Sequence, residues 1–335
     1  MGGIRNEKID IIRGIAVILV LAGHTLQIYD GCADNIVFNI IQSILMMVSG
    51  YATGYSRPLC TWQDLLKFIR KRTVALLLPW GTCSLLVFGV ISDYTLIEHI
   101  KFILYHMESA FWFLFSLWSI SVVFSVASFI SYKISGAVML RETIFRITIT
   151  LIFNALLFLF GTKIGLTFLG TKYTTYYMVF FLVGWLWHLF EDRYPQWTSW
   201  KLSQTLYFLL VVFYSIFISK YKIVEMSDNS LFWISVRCLI SMAGCIIIIY
   251  PVYKYLIPLK LKNVVLHFGN NSLEYYIIQY FWINLFVMPF TFSITTTEGL
   301  ANWFVYFILM CLLCFITIKT LSATPLTRFV FFGKK

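Results

Sequence analysis

Residues 9–28 read IDIIRGIAVILVLAGHTLQI, an apolar run with only two charged side chains, Asp10 and Arg13. About 20 apolar residues in a helix cross the hydrocarbon core of a bilayer, because each residue adds about 1.5 Å along the axis. Comparable runs recur to the end of the chain with no hydrophilic block between them. We therefore predict a single all-α, polytopic integral membrane domain over residues 1–335.

Ten such runs make up most of the chain. Only 12% of the 335 residues are charged and 60% are hydrophobic, whereas a soluble domain carries about twice that charged fraction. The runs are also too long for the strands of a membrane barrel, which alternate over about ten residues. The predicted spans are 9–28, 36–55, 73–91, 111–131, 144–161, 173–190, 203–219, 231–250, 272–290 and 301–320.

The basic residues predict the orientation of these spans, since Lys and Arg accumulate in cytoplasmic segments. With the N-terminus inside, 19 of the 26 Lys and Arg residues fall in or beside cytoplasmic segments and five in outer loops, and Arg13 and Arg237 lie within spans. We expect the first run to be retained, because Asp10 and Arg13 interrupt the pattern of a cleaved signal. The prediction is a cytoplasmic (inner) membrane protein with both termini in the cytoplasm. The net charge of +11 then reflects contact with an anionic lipid bilayer, not nucleic-acid binding.

The first span carries the candidate chemistry, since ionisable side chains inside a span are costly and mark functional sites. Arg13 and His24 are eleven residues apart, which places them on nearly the same helix face and about 16 Å apart along the axis. Asp10 precedes Arg13 by one turn and is positioned to pair with it. This face would present a permanent cation near the cytoplasm and an imidazole near the outside.

Each of these residues also has an ordinary structural interpretation. Arg13 would extend to the inner headgroups, and His24 would lie at the outer interface. For the pair on one face, the residues alone favour neither interpretation.

Several motifs, in order, resemble those of the acyltransferase 3 family of membrane acyltransferases. Asp10-x-x-Arg13-Gly14, followed by His24, is similar to the signature of the family's first helix. Five later stretches also resemble family motifs: 48–51 (VSGY), 68–72 with 77–80 (FIRKR and LLPW), 111–114 (FWFL), 176–184 (YYMVFFLVG) and 271–276 (NSLEYY).

The chain departs from the family pattern at three places. Residues 40–43 (IIQS) lack the Phe-His-x-Pro element that often precedes the Ser-Gly pair. Ala75 stands where a second arginine often follows Arg72, and Gln279 stands where histidine is frequent. These departures leave His24 as the only histidine in a matching motif.

The resemblance implies transfer of an acyl group, usually acetyl, from cytoplasmic acetyl-CoA to a hydroxyl, often on an extracytoplasmic or lipid-linked carbohydrate. His24 would take the proton of the acceptor hydroxyl, or would itself carry the acyl group, and the sequence leaves both routes open. The guanidinium of Arg13 suits a phosphate or a polarised carbonyl. The coenzyme A thioester would be bound by the basic cluster Arg70, Lys71 and Arg72, which otherwise is a plain cytoplasmic anchor.

Three further residues are candidate substrate contacts: Asp10 beside Arg13, Trp112 at the start of the fourth span, and Arg237 within the eighth. We expect no metal site, since the histidines and acidic residues of 98–108 lack zinc-ligand spacing and are interpreted as an outer loop. Asn271 and Glu274 match a capping box at a helix start.

A second class of function is a non-catalytic exporter or flippase of a polysaccharide or lipid-linked glycan. Ten helices with few internal charges are also typical of transporters. Transporters often contain internal repeats and broken helices in matching positions. The sequence contains neither feature convincingly, which favours the enzyme.

Overall fold

A computed structural model of the chain describes residues 6–26, 36–91, 95–106, 111–136, 138–165, 167–220, 231–255, 258–285 and 296–334. Across these ranges the secondary structure is helical, with no strand. The helices are α1 (Glu7–Leu26), α2 (Ile36–Gly54), α3 (Trp62–Arg72), α4 (Leu78–Ile91), α5 (Leu96–Tyr105), α6 (Trp112–Ser135), α7 (Met139–Ile164), α8 (Thr171–Arg193), α9 (Lys201–Lys220), α10 (Leu231–Lys254), α11 (Leu259–Asn270), α12 (Ser272–Leu285), α13 (Thr297–Leu321) and α14 (Pro325–Phe332). A π-helical turn, Thr73–Leu77, joins α3 to α4, and 3₁₀ turns lie at Phe168–Gly170 and Trp197–Ser199.

Each predicted span falls on a helix, although residues 27–28 and 286–290 lie outside the described residues. Within the described residues, five helices are long and apolar enough to cross a membrane, namely α1, α6, α7, α10 and α13. Two shorter apolar stretches, Ile40–Gly54 and Lys201–Phe217, lie in α2 and α9. The all-helical class is confirmed, while the count of ten spans and their orientation remain predictions.

Four short helices were not predicted from the apolar runs: α3, α5, α11 and α14. The interpretation of 98–108 as a loop is wrong for its described part, because α5 continues to Tyr105. The side chain of Thr95 caps its first turn by accepting a hydrogen bond from the backbone N–H of Glu98, and Glu98 accepts in return from the N–H of Thr95. This reciprocal cap satisfies N–H groups that would otherwise have no partner at the helix start.

The described helices divide into two compact units. Unit 1 comprises Met1–Gly54 and Val183–Ile318, and unit 2 comprises Tyr55–Leu182 and Lys319–Lys335. Each unit is described by itself.

In unit 1, α1 is the central helix and packs against α2, α10, α11 and α12. The approach of α11 is close at two glycines. A methyl group on Gly14 would lie 2.0 Å from the carbonyl oxygen of Val265, and one on Gly269 would lie 1.8 Å from that of Asp10. Small residues allow helix backbones to come this near. The glycine after Arg13 therefore has a packing reason, which the motif alone did not reveal.

One end of unit 1 is joined by a polar cluster. Glu191, near the end of α8, accepts hydrogen bonds from the hydroxyls of Tyr51 at 2.7 Å and Tyr253 at 2.9 Å. The side-chain amide of Asn6 donates to the Tyr51 hydroxyl at 3.3 Å, and the ammonium of Lys8 lies 4.5 Å from the centre of the Tyr253 ring. The start of α1 and the ends of α2, α8 and α10 are thus held together.

In unit 2, α6 is the central helix and packs against α7, α3 and the π-helical turn. The indole N–H of Trp118 donates to the hydroxyl of Thr73 at 3.0 Å, which fixes the π-helical turn against α6. α14 packs against α4. It ends at Gly333, whose backbone adopts φ of 62°, a left-handed conformation that glycine tolerates.

Candidate active site

Asp10 and Arg13 form the predicted pair on the first turns of α1. Their charged atoms are 3.5 Å apart, and the Asp10 side chain is 6% exposed while that of Arg13 is 29% exposed. The carboxylate is therefore buried against the helix and the guanidinium remains accessible. A buried carboxylate beside a permanent cation restricts the directions that the cation adopts.

His24 lies two residues before the end of the same helix, and its side chain is half-buried. Because α1 is continuous from Glu7 to Leu26, the predicted separation of about 16 Å from Arg13 along the axis stands. The neighbouring Thr25 hydroxyl donates to the backbone of its own helix and accepts from the indole N–H of Trp303 at 3.1 Å. The contact with α13 anchors the turn that carries His24.

The basic cluster Arg70, Lys71 and Arg72 forms the last turn of α3, in unit 2. Arg70 and Lys71 are exposed, and the guanidinium of Arg72 lies 5.3 Å from the centre of the Phe68 ring. Basic side chains at a helix C-terminus also interact favourably with the helix dipole. The cluster is accessible to an anion, and its role in binding the donor remains a prediction.

A capping box positions α3 and hence this cluster. The Thr61 hydroxyl accepts from the backbone N–H of Asp64, and the Asp64 carboxylate accepts from the Thr61 hydroxyl at 2.6 Å and the Thr61 N–H at 3.1 Å. These hydrogen bonds to Thr61 lower the pKa of the exposed Asp64 carboxyl below its ordinary value, and Lys67 lowers it further.

Trp112 begins α6 in unit 2 and stacks on Tyr173 and Tyr177 of α8, with ring centres 4.2 and 5.3 Å apart. The residue before it, Phe111, is buried and left-handed, with φ of 47°. The role of Trp112 as a substrate contact stays a prediction. The structure adds that Trp112 belongs to an aromatic stack between the 111–114 and 176–184 motifs.

Arg237 lies in the second turn of α10, in unit 1, and is half-buried. Its role in contacting substrate remains a prediction. Among the described residues, His, Cys, Asp and Glu side chains form no group of three that is placed to hold a metal ion.

Two features of unit 1 were not predicted. The first is the contact of Tyr51 and Tyr253 with Glu191; its sequence signal was an acidic residue directly after an apolar run. The second is the pair formed by His267 and the Tyr275 hydroxyl, 3.2 Å apart. The capping box at 271–274 stays a prediction; the Asn271 side-chain amide donates back to the His267 carbonyl at 2.9 Å, where α11 ends.

Comparison with known proteins identifies the family. The acyltransferase domain model of the acyltransferase 3 family matches residues 6–319, nearly the whole chain. The chain therefore belongs to the acyltransferase 3 family and is a membrane acyltransferase in the general sense of that family. No curated protein and no solved structure matches the chain significantly.

Proposed function

We propose that this protein is a membrane O-acetyltransferase that moves an acetyl group from cytoplasmic acetyl-CoA to a hydroxyl of an extracytoplasmic or lipid-linked glycan. The observation that carries this proposal is α1, where the paired Arg13 and the accessible His24 lie on one continuous helix within the family domain. The two residues supply a fixed cation and an imidazole, the side chain that most often acts as a general base.

In the direct route, the imidazole of His24 takes the proton of the acceptor hydroxyl as its oxygen attacks the thioester carbonyl. The carbon–sulfur bond then breaks, and the coenzyme A thiolate leaves and is protonated. In the second route, an imidazole nitrogen attacks the thioester carbonyl, the carbon–sulfur bond breaks, and coenzyme A leaves as the thiol with the imidazole proton. The hydroxyl then attacks the acetyl-imidazole, and its proton returns to the imidazole as the ester forms. In either route the Arg13 guanidinium, about 16 Å along the axis from His24, would bind a phosphate of the donor and not the reacting carbonyl.

We further propose ten spans with both termini in the cytoplasm. Contacts within unit 1 support this arrangement, because they join side chains for which it predicts the same side. The inner ends would be joined by Asn6, Tyr51, Tyr253 and Glu191. The outer ends of α1 and α13 would be joined by Thr25 and Trp303. In this arrangement Arg70, Lys71 and Arg72 lie on the donor side.

The acceptor is tested by mass analysis of envelope glycans from cells with and without the protein. The proposal expects the acetyl increment on one glycan to disappear when the protein is removed. Loss of the whole glycan from the surface, with its acetylation unchanged, would instead identify an exporter or flippase.

The role of His24 is tested with purified protein in lipid discs and acetyl-CoA labelled in the acetyl group. We expect His24→Ala to abolish transfer to glycan without lowering the unfolding temperature. The matched control is His267→Gln, which removes a different helical histidine and should retain transfer per folded molecule. Transfer by His24→Ala at the normal rate would remove His24 from the mechanism.

The basic cluster is tested by direct binding of coenzyme A. Neutralising Arg70, Lys71 and Arg72 together should weaken binding far more than neutralising Lys260 and Lys262, two basic residues of α11. Equal losses would mean that bulk positive charge, and not a donor site on α3, attracts the nucleotide.

A further inference from the structure

Four segments of unit 2 meet beside the start of α6. α5 and the start of α6 both contact the 3₁₀ turn Phe168–Gly170, which directly precedes α8. The rings of Tyr105 and Phe168 are 5.0 Å apart, and those of Phe102 and His106 are 4.9 Å apart. With the stack of Trp112 on Tyr173, these contacts give three aromatic pairs in this part of unit 2, here called the aromatic layer.

An open cavity of about 320 Å³ lies on this layer and is lined by five residues of one helical segment: Glu98, Lys101, Phe102, Tyr105 and His106. These five side chains supply two aromatic rings, a carboxylate, an ammonium and an imidazole. The aromatic faces suit the C–H face of a sugar ring, and the polar groups suit its hydroxyls, which both donate and accept hydrogen bonds. Its volume is at the lower end of small-ligand sites, about 300 to 1,000 Å³.

The spacing of residues along α5 gives the helix three distinct faces. Glu98, Lys101, Phe102 and Tyr105 follow the i, i+3, i+4, i+7 pattern and therefore share the cavity face. His99 and Ile103 are buried and face the rest of unit 2. Leu96, Ile97 and Ile100 are exposed on a third face, as expected for contact with lipid. Contact with lipid thus explains the exposed apolar residues of the third face. It does not explain the mixture of aromatic and charged residues on the cavity face.

The carboxylate of Glu98 in this cavity is held in place by its own helix cap. One carboxylate oxygen of Glu98 accepts from the Thr95 hydroxyl at 2.7 Å and the Thr95 N–H at 2.9 Å. These bonds lower the pKa of Glu98, so the group is ionised at neutral pH. A fixed carboxylate loses little further freedom when a ligand binds.

The aromatic layer beside the cavity is built at a conformational cost. Phe111 precedes Trp112 and has φ of 47°, and Leu169, one turn before Tyr173, has φ of 50°. Left-handed backbone is disfavoured for side chains of this size, and such strain clusters at functional sites. Next to the stack, the fully buried hydroxyls of Ser116 and Thr174 have no hydrogen-bond partner within the described chain, which is also unusual.

We propose that this cavity binds a sugar ring of the acceptor, with Tyr105 and Phe102 as stacking surfaces and Glu98, Lys101 and His106 as hydroxyl partners. The inference rests on the proposed function in taking the acceptor to be a glycan. It goes further by assigning acceptor recognition to α5, a helix that carries none of the residues proposed for transfer.

The test uses the full chain in lipid discs, with methyl glycosides of common hexoses and N-acetylhexosamines as probes in saturation-transfer NMR. We expect at least one glycoside to bind, and Tyr105→Ala to weaken its binding about fivefold through loss of stacking. Tyr105→Phe keeps the ring and should bind normally. The matched control is Tyr55→Ala, since Tyr55 is 48% exposed and Tyr105 50% exposed.

Labelled acetyl-CoA separates this inference from the proposed function. Slow consumption of acetyl-CoA without glycan should be the same for Tyr105→Ala and the unaltered protein, because the variant leaves the transfer residues intact. An unaltered protein that consumes no acetyl-CoA in any condition would refute the proposed function, whatever sugars bind. Normal transfer with glycoside binding unchanged in Tyr105→Ala, or with no glycoside bound, would overturn the sugar site. Equal losses of binding in Tyr105→Ala and the lipid-face variant Ile97→Ser would also overturn the sugar site, because α5 would then act only as a membrane anchor.

Discussion

α1 and α7 are nearly equal in mean hydropathy but differ in burial. The values for their most apolar stretches are 1.8 and 2.0, yet 61% of the residues in that stretch are buried in α1 and only 11% in α7. Lipid is as apolar as a protein core, so composition does not report which of the two surrounds a helix. The packing of neighbouring helices decides which of the two helices is buried in protein.

Both helices also carry a carboxylate one turn before an arginine. In α1 this is Asp10 with Arg13, and in α7 it is Glu142 with Arg146, which form an ion pair. Arg146 lies against the Phe124 ring, 5.8 Å from its centre, with its side chain 16% exposed, whereas that of Arg13 is 29% exposed. The same local pattern therefore gives an accessible cation in unit 1 and an enclosed one in unit 2.

The largest expected effect comes from removing the same apolar side chain from each helix. Leu21 in α1 is fully buried, and Leu156 in α7 is 55% exposed. Leu21→Ala should lower the free energy of unfolding by about 3 kcal/mol, because it leaves a cavity. Leu156→Ala should change it by less than about 0.5 kcal/mol. Reversible unfolding in mixed micelles measures both, and similar losses would mean that α7 is covered by protein.

The second effect concerns the two arginines. Arg13→Gln should lower kcat/KM for acetyl transfer about 100-fold, equivalent to about 2.7 kcal/mol, by removing a charge that binds a donor phosphate. Arg146→Gln should destabilise unit 2, because Glu142 loses its cation, but leave transfer per folded molecule within about twofold. Steady-state rates corrected for the folded fraction distinguish the two outcomes. Equal losses of activity would assign Arg13 a structural role only.

The third effect tests the close packing of α1. Gly14→Ala should cost about 2 kcal/mol of stability, since the new methyl group would meet the Val265 carbonyl oxygen. Gly81→Ala in α4 is the matched control, because nothing lies within 4 Å of the position its methyl group would take. Thermal unfolding should place Gly81→Ala at or slightly above the unaltered protein. A neutral Gly14→Ala would show that α11 can move away from α1.

The smallest expected effect is a loss of stability at the start of α3 at low pH, with no change in α1 or α7. The pKa of Asp64 is lowered in the folded protein by its hydrogen bonds to Thr61. Its contribution to the stability of α3 is therefore complete above the ordinary value of 3.8 and is lost as the pH falls through the lower folded value. Hydrogen exchange, corrected for the intrinsic rate at each pH, should show the first turn of α3 losing protection in that range while α1 and α7 stay protected. In Thr61→Ala this pH dependence should disappear.

Much of the fold was predictable, because a span needs a long apolar run and each predicted run falls on a helix. The apolar runs did not predict the four short helices, because α3 and α11 are rich in charge and α5 and α14 are too short to cross a bilayer. Their sequence signals are local, such as Thr61 with Asp64 and Thr95 with Glu98 in reciprocal caps.

The candidate site was predictable only within one helix. Helix periodicity predicted that Asp10 and Arg13 would pair across one turn of α1, and they do, since helix geometry fixes neighbours within a few turns. It carried no information on Trp303, which anchors Thr25, or on Gly269, which lies against Asp10, because those contacts join distant parts of the chain. Long-range partners depend on how the helices pack, and a single sequence does not contain that geometry in readable form.

The contact between Gly14 and Val265 also has a consequence for biogenesis. α1 leaves the ribosome more than 200 residues before α11, the helix that packs against the Gly14 turn. During synthesis, the Asp10–Arg13 pair is therefore made before α11 is available to pack against it. Nascent chains stalled before α11 should be the form most readily recognised by membrane quality-control proteases, and release of the C-terminal third should end that vulnerability.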